Sequence, residues 1–331
     1  MRTLLPLCLV GVFMMAASCA PPERSGGMRV ALITPGSIAD AAWNSGAYDG
    51  LRRIHDSLGV EISHVEAMTP AAQEEALRSY ASQGYDLIFG HGYEFQAPSE
   101  RVSRDYPKAA FVVTSGARAE GRVIPLIFRL EDASYLAGMV AGGLTRSGTI
   151  AFVGGVELPP VRTAYLGWVN GARAVRPGVE TRITYLNNWD DPAAGREAAI
   201  ALIRLGADMF HHNADAAALG VFQAVKESPG AYIFGANADQ SALAPQRVIG
   251  SAVIDLPHAF LLVARELQAG KLEPKVHTFG LESRVVLYVP NPALDSLITP
   301  ALRARVAAAS DSIVAGTLVP AARPPEMQAS R

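Results

Sequence analysis

Cysteine is nearly missing from this chain. Its 331 residues include two, Cys8 and Cys19, both near the N-terminus. Beyond them no thiol is left for a disulfide, a zinc cluster or a cysteine nucleophile, so the fold must rest on its core. An excess of one charge is missing too. A formal net charge of −2 leaves no electrostatic footprint for nucleic acid. After the N-terminal segment no charge-free apolar run reaches 18 residues, so nothing later reads as a membrane-spanning helix. Short-period repeats and low-complexity blocks are absent. So are HExxH, the GxSxG elbow, the GxxxxGK[ST] phosphate loop and the dinucleotide fingerprint GxGxxG. His211 and His212 are adjacent on a strand-like run and would point to opposite faces, a poor arrangement for one metal.

What is present begins at the N-terminus. Residues 4–17, LLPLCLVGVFMMAA, are apolar but too short and poorly flanked for a span. Ala16-Ala17-Ser18 then precede Cys19, and this triplet resembles the lipobox of bacterial lipoproteins, although Ala16 stands where leucine is commoner. The resemblance implies a signal peptide over 1–18, lipidation of Cys19 and a tether over 19–27. It also implies a protein held at the cell envelope, facing the periplasm or cell exterior. An ordinary cleaved signal with a chance cysteine is the alternative.

From residue 28 onward short β-rich runs alternate with amphipathic stretches. MRVALITP (28–35), VEISHV (60–65), DLIFG (86–90), AAFVVT (109–114) and VIPLIF (123–128) read as strands. Tyr48, Leu51, Ile54 and Leu58 predict a helix over 43–58, and Pro70 and Gly84 bracket another over 70–84. The pattern then restarts. Helices are expected over 133–148, 161–176, 192–206, 257–269 and 292–309. Strands are expected over 149–155, 180–186, 207–212, 231–236, 247–254 and 285–290. Two runs of βα units predict two doubly wound α/β domains with parallel sheets. The 50% hydrophobic and 18% charged content suits such packing.

In open parallel sheets ligands bind beyond the carboxyl ends of the strands. Two of the three tryptophans sit in such loops: Trp43, between Asp40 and Asn44, and Trp189, before Asp190 and Asp191. Trp168, mid-helix, reads as core. One loop tryptophan alone reads equally well as a lid on the core. Two, each beside hydrogen-bonding groups, suggest a flat ring stacked between indoles, a gain of about 1–3 kcal/mol per face.

Several segments together resemble the basic membrane protein family, which includes the purine nucleoside receptor lipoproteins. They are AAWNSGAYDGLRR, QGYDLIFGHGYEF, YLAGMVAGGLTRSGTIAFVGGVELPPV, GREAAIALIRLGAD and GANADQ, in order over roughly residues 28–270. The resemblance implies a type I periplasmic-binding-protein fold, with two lobes joined by a three-strand hinge. Lobe one would be 28–128 plus 256–284, and lobe two 129–255 plus 285–320, with 321–331 a loose tail. It also implies the substrate-binding protein of an ABC importer: a monomer, not an enzyme, with no cofactor and no metal. Its partners would be a small-molecule ligand, an ABC permease and, through the lipid anchor, a membrane.

By the same resemblance, Trp43 and Trp189 would hold the base and Asp239, beside Asn237, the ribose. Asn44 would also reach the ligand. Asp40, His91, Thr114, Ser115 and Asp191 complete the expected binding set. The chain departs from the nucleoside receptors at three points. Thr114-Ser115-Gly116 stands where an aspartate is common, Asn237 replaces an aspartate, and Ser251-Ala252-Val253-Ile254 lacks a lysine. These changes are expected to take charge out of the pocket, so a free base, a flavin or a sugar remains an alternative to a purine nucleoside. A receptor that signals to a membrane partner is the alternative to a transport role. Asp190-Asp191 could be imagined as an acid–base pair, but Pro192 after them reads better as the start of a capped helix.

Overall fold

The computed structural model describes residues 27–40 and 42–321; the expected signal peptide, the lipidation site Cys19 and nearly all of the expected tail lie outside them. The first run of elements is β1 (Arg29–Thr34), α1 (Trp43–Leu58), β2 (Glu61–Glu66), α2 (Pro70–Ser82), β3 (Leu87–His91), α3 (Gln96–Ser103), β4 (Ala110–Thr114) and β5 (Val123–Phe128). The second is α4 (Leu130–Leu144), β6 (Thr149–Gly154), α5 (Pro159–Val175), β7 (Glu180–Tyr185), α6 (Pro192–Arg204), β8 (Met209–Asn213), α7 (Ala218–Glu227), β9 (Tyr232–Asn237) and β10 (Val248–Ile254). The chain ends with α8 (Leu256–Gln268), β11 (His277–Phe279), β12 (Val286–Pro290) and α9 (Pro300–Val314).

These strands form two six-stranded sheets, ordered β11-β5-β4-β3-β1-β2 and β12-β10-β9-β8-β6-β7. The two orders correspond strand for strand. Pairing is parallel throughout except between β10 and β12, which run antiparallel. The chain passes between the sheets three times: after Phe128, after Ile254, and between Phe279 and Val286. The α/β two-lobe class read from the alternation is therefore the one observed.

Local chemistry explains where several helices start. Thr69, Asp191, Asp255 and Thr299 each accept a backbone N–H of the first turn, and each is followed within two residues by proline. Asp40 does the same for α1: its carboxylate accepts from the N–H groups of Ala42, Asn44 and Ser45. The Thr299-Pro300 cap also corrects the last expected helix. Residues 292–297 form a separate 3₁₀ turn, and α9 starts afresh at Pro300, whose missing N–H suits a first turn and no later one. Residues 96–103 and 218–227, unassigned from periodicity, are the short helices α3 and α7.

The small residues of α4 have a packing reason. At Gly138 and Gly142 a Cβ would stand 2.1 Å from the Trp168 carbonyl oxygen and 2.5 Å from that of Ala172. At Gly167 and Gly171 of α5 it would stand 2.4 Å and 1.9 Å from the carbonyl oxygens of Glu131 and Tyr135. The two helices thus meet backbone to backbone. Trp168 is fully buried among Phe152, Phe234 and the aliphatic core.

Candidate functional site

A cleft with about 700 Å³ of empty space, part of it open solvent, lies between the lobes, at the carboxyl ends of the strands of both sheets. The first lobe contributes Gly36 after β1, Trp43 and Asn44 at the start of α1, Tyr93 and Glu94 after β3, and Ser115 after β4. The second contributes Trp189 and Asp190 after β7, Asn213 and Asp215 from β8 onward, and Asn237 at the end of β9. Phe128, Leu130 and Ile254, where the chain crosses between lobes, form its floor.

Each indole is held from behind. The Trp43 ring stacks on His91, with centroids 4.1 Å apart, and meets Phe128 edge-on. His91 is fully buried, and burial pushes its imidazole down to about 3, so it is neutral. Its Nε2–H donates to the Trp43 carbonyl at 3.0 Å, which leaves Nδ1 to accept from the Thr114 hydroxyl at 3.0 Å. Trp189 lies against Gly155, where a Cβ would stand 2.1 Å from the indole Cε3. Asp190 reaches toward the other lobe: its Oδ1 would be 3.5 Å from a Cβ built on Gly36.

Several lining residues carry strain. Ser115, Asp215 and Asn237 adopt positive φ values of 57°, 44° and 65°. L residues other than glycine accept such backbone only where surrounding structure enforces it, and ligand sites are where this recurs. Asn44 is 3% exposed, and its Oδ1 has no hydrogen-bond partner. Such an oxygen is costly to bury and calls for a donor.

The electrostatics differ from the sequence expectation. Three carboxylates line the cavity, so it has not lost its charge. Burial raises Glu94, and burial and then Asp40 raise Asp190. Asp215 is raised well above the usual carboxylate range, first by burial, then by Asp40, Glu94 and Asp190.

The structure brings together Trp43, Asn44, Ser115, Trp189 and Asn237 from the expected set. The other five do not line the cavity. Asp40 and Asp191 are spent on helix N-termini, the latter accepting from Ala193 and Ala194. Thr114 and His91 form the layer beneath Trp43. Asp239 is exposed and bonds the Ser241 N–H and hydroxyl at 3.0 and 2.6 Å. Glu94, Asn213 and Asp215 were not singled out from sequence, although HGYEF and NADAAA are strand-end loops.

The model of the Bmp family, ABC transporter substrate-binding protein PnrA-like, matches residues 28–315. The chain belongs to the Bmp family. Basic membrane protein A of Borreliella afzelii is 28% identical over 278 residues, covering 82% of this chain and 85% of that one. The transcriptional activator protein Med of Bacillus subtilis, 25% identical, covers 84% of this chain and 87% of its own. Among solved structures, an ABC transporter solute-binding protein from Aeropyrum pernix superposes with a TM-score of 0.81 at 21% identity, covering 88% of this chain and 93% of that one. That likeness shows the fold, two lobes of the periplasmic-binding-protein kind. As a Bmp protein the chain is a substrate-binding component that takes a small molecule to a permease, and Bmp substrate-binding proteins act outside the cytoplasm. Among the described residues no helix is long and apolar enough to cross a membrane.

Proposed function

We propose that this protein is a lipid-anchored, monomeric receptor that captures a purine nucleoside, or a closely similar flat nitrogen ring, and delivers it to an ABC importer without covalent chemistry. The observation that carries the ligand reading is one tryptophan from each lobe, Trp43 and Trp189, lining a single cavity. A purine would lie between the indoles when the lobes close. Glu94, Asp190 and Asp215 would accept ring N–H groups and sugar hydroxyls, and the Asn213 and Asn237 amides would offer both donors and acceptors. Asn237 and Asp215 take the ribose-binding role in this reading, because the exposed Asp239 faces its own loop. The anchor is proposed at Cys19, after the lipobox-like triplet.

The test is calorimetry on the detergent-purified full-length protein, stripped of carried-over ligand by denaturation and refolding. Adenosine, guanosine, inosine, adenine, riboflavin and glucose are the probes. Nucleoside binding that disappears in Trp43→Ala and Trp189→Ala supports the stacked ring. Tight glucose binding that is indifferent to both substitutions would sink it. A second reading, a sensor whose closed form signals, is favoured by the activator Med among its relatives. Uptake of labelled ligand lost on deleting this gene supports transport; unchanged uptake with altered transcription supports sensing.

A further inference from the structure

We propose that the cavity between the lobes selects a positively charged heteroaromatic ring over its neutral and anionic counterparts. Combined with the nucleoside reading above, on which this step rests, the preferred ligand is a cationic, ring-methylated purine nucleoside.

The first observation is the charge of the lining. Glu94, Asp190 and Asp215 contribute three carboxylates, and among the described residues no lysine, arginine or histidine lines the cavity. The arginines on flanking elements are already paired: Arg129 with Asp132 and Glu282, and Arg162 with Glu157. Among the described residues, the Asp190 and Asp215 carboxylates accept no hydrogen bond from the protein. Asp190 and Asp215 therefore face the cavity and one another without compensation, whereas Glu94 accepts its own backbone N–H.

The second observation is independent of the acids. Asn44 lines this space, and its side-chain oxygen is buried and unpartnered. It too asks for a positive or N–H-bearing group. The third is the pair of indoles. A cation over a tryptophan face is attracted by the ring quadrupole, more so when desolvated, whereas a neutral ring gains stacking alone. An anion such as a phosphate would meet three carboxylates and no countercharge.

The titration behaviour agrees. Asp215 faces Asp40, Glu94 and Asp190, and Asp190 faces Asp40; burial and this mutual repulsion hold the cavity acids above their usual range. The adjoining buried histidines, His91 and His212, are neutral, held down to about 3 and about 4 by burial. In the empty cavity protons relieve the repulsion. A cationic ring would take their place, so binding releases protons and tightens as pH rises. A neutral ring that accepted hydrogen bonds from protonated acids would show the opposite slope.

The experiment is calorimetry on the full-length protein in detergent, with 1-methyladenosine and N6-methyladenosine as the central pair. These are isomers; the first is protonated at neutral pH and the second is neutral. Thiamine serves as a cation that is not a nucleoside, and adenosine monophosphate as an anion. We expect 1-methyladenosine to bind about ten-fold or more tighter than its isomer, as one buried charge contact gives. We expect no detectable binding of the monophosphate, and tightening of the cation from about pH 5 to about pH 8. Glu94→Gln and Asp215→Asn, checked for folding by thermal melts, should each shrink the preference. Equal or tighter binding of N6-methyladenosine overturns the charge inference and keeps the nucleoside reading. Binding of thiamine but of neither nucleoside upholds charge selection and removes the nucleoside reading. Failure of both cations to bind the folded protein overturns the inference.

Discussion

The Trp43 indole lies on the His91 imidazole, 4.1 Å between centroids and 27° between planes, and the same imidazole holds the Trp43 carbonyl. A residue that never touches the cavity therefore fixes the angle of the ring that does. His91→Ala should lower stability by about 2–4 kcal/mol, since a buried ring and two hydrogen bonds are lost. It should also weaken ligand binding about ten-fold through a loosened indole. Urea unfolding and calorimetry on the same preparation separate the two effects. Unchanged affinity in a folded variant would show that Trp43 needs no platform.

Gly155 gives a sharper version of the same test in the other lobe. A Cβ there would collide with the Trp189 ring at 2.1 Å, so Gly155→Ala must displace the indole. Binding is expected to fall as far as in Trp189→Ala, by about 1–3 kcal/mol, while the unfolding midpoint moves little because Trp189 is only partly buried. Tryptophan fluorescence should shift with the displacement. Wild-type affinity for Gly155→Ala would remove Trp189 from the site.

The packing of α4 on α5 predicts a contrast between two glycines. At Gly171 an added methyl would meet the Tyr135 carbonyl oxygen at 1.9 Å, forcing the helices apart. Gly171→Ala should cost about 1–3 kcal/mol. At Gly178 a Cβ meets nothing within 4 Å, so Gly178→Ala should be neutral or slightly stabilising. Equal melting temperatures for the two variants would contradict the close packing.

The buried histidines set an acid limit. His91, His211 and His212 are held down to about 3, about 3 and about 4 by burial, whereas in the unfolded chain they titrate near the ordinary imidazole value of 6.5. Above that value both states are neutral and nothing is lost. As pH falls below it the unfolded chain takes up protons that the folded one refuses. Each histidine then removes about 1.4 kcal/mol per pH unit until its folded value is reached. Asp215 acts in the opposite sense: its raised folded value favours the folded state at low pH, and that contribution is lost as pH rises through it. Asp215→Asn should therefore raise the melting temperature at neutral pH and change it little below about pH 4. Melting temperatures from acid to neutral pH for wild type and the variant check both signs. A variant that melts no higher than wild type at neutral pH would contradict the Asp215 assignment.

Much of the site was legible because strand ends are legible. Trp43, Asn44, Ser115, Trp189 and Asn237 line the cavity because each follows or closes an aliphatic strand, or opens the helix after one. Their neighbours were harder. Asn237 closes β9 and Asp239 follows two residues later, yet only Asn237 lines the cavity, and it takes φ 65° to do so. Asp215 is similar, with φ 44°. A residue letter carries no record of such backbone, so side-chain direction in these loops could not be read. Asp40 shows the reverse. It was expected to bind ligand, and three N–H groups at the start of α1 claim it instead.

The sequence by itself determined the α/β alternation, the helix starts at Thr69-Pro70 and Asp191-Pro192, and the lack of any thiol beyond Cys19. These are short-range matters of periodicity, missing N–H groups and nearby side-chain oxygens, settled within a few residues. Only the tertiary structure decided that β11 joins the first sheet and β12 the second, and that Glu94, Asp190 and Asp215 converge on one cavity. Those juxtapositions depend on a chain that crosses between two sheets three times. They join positions from 25 to about 150 residues apart, and no local pattern encodes such distances.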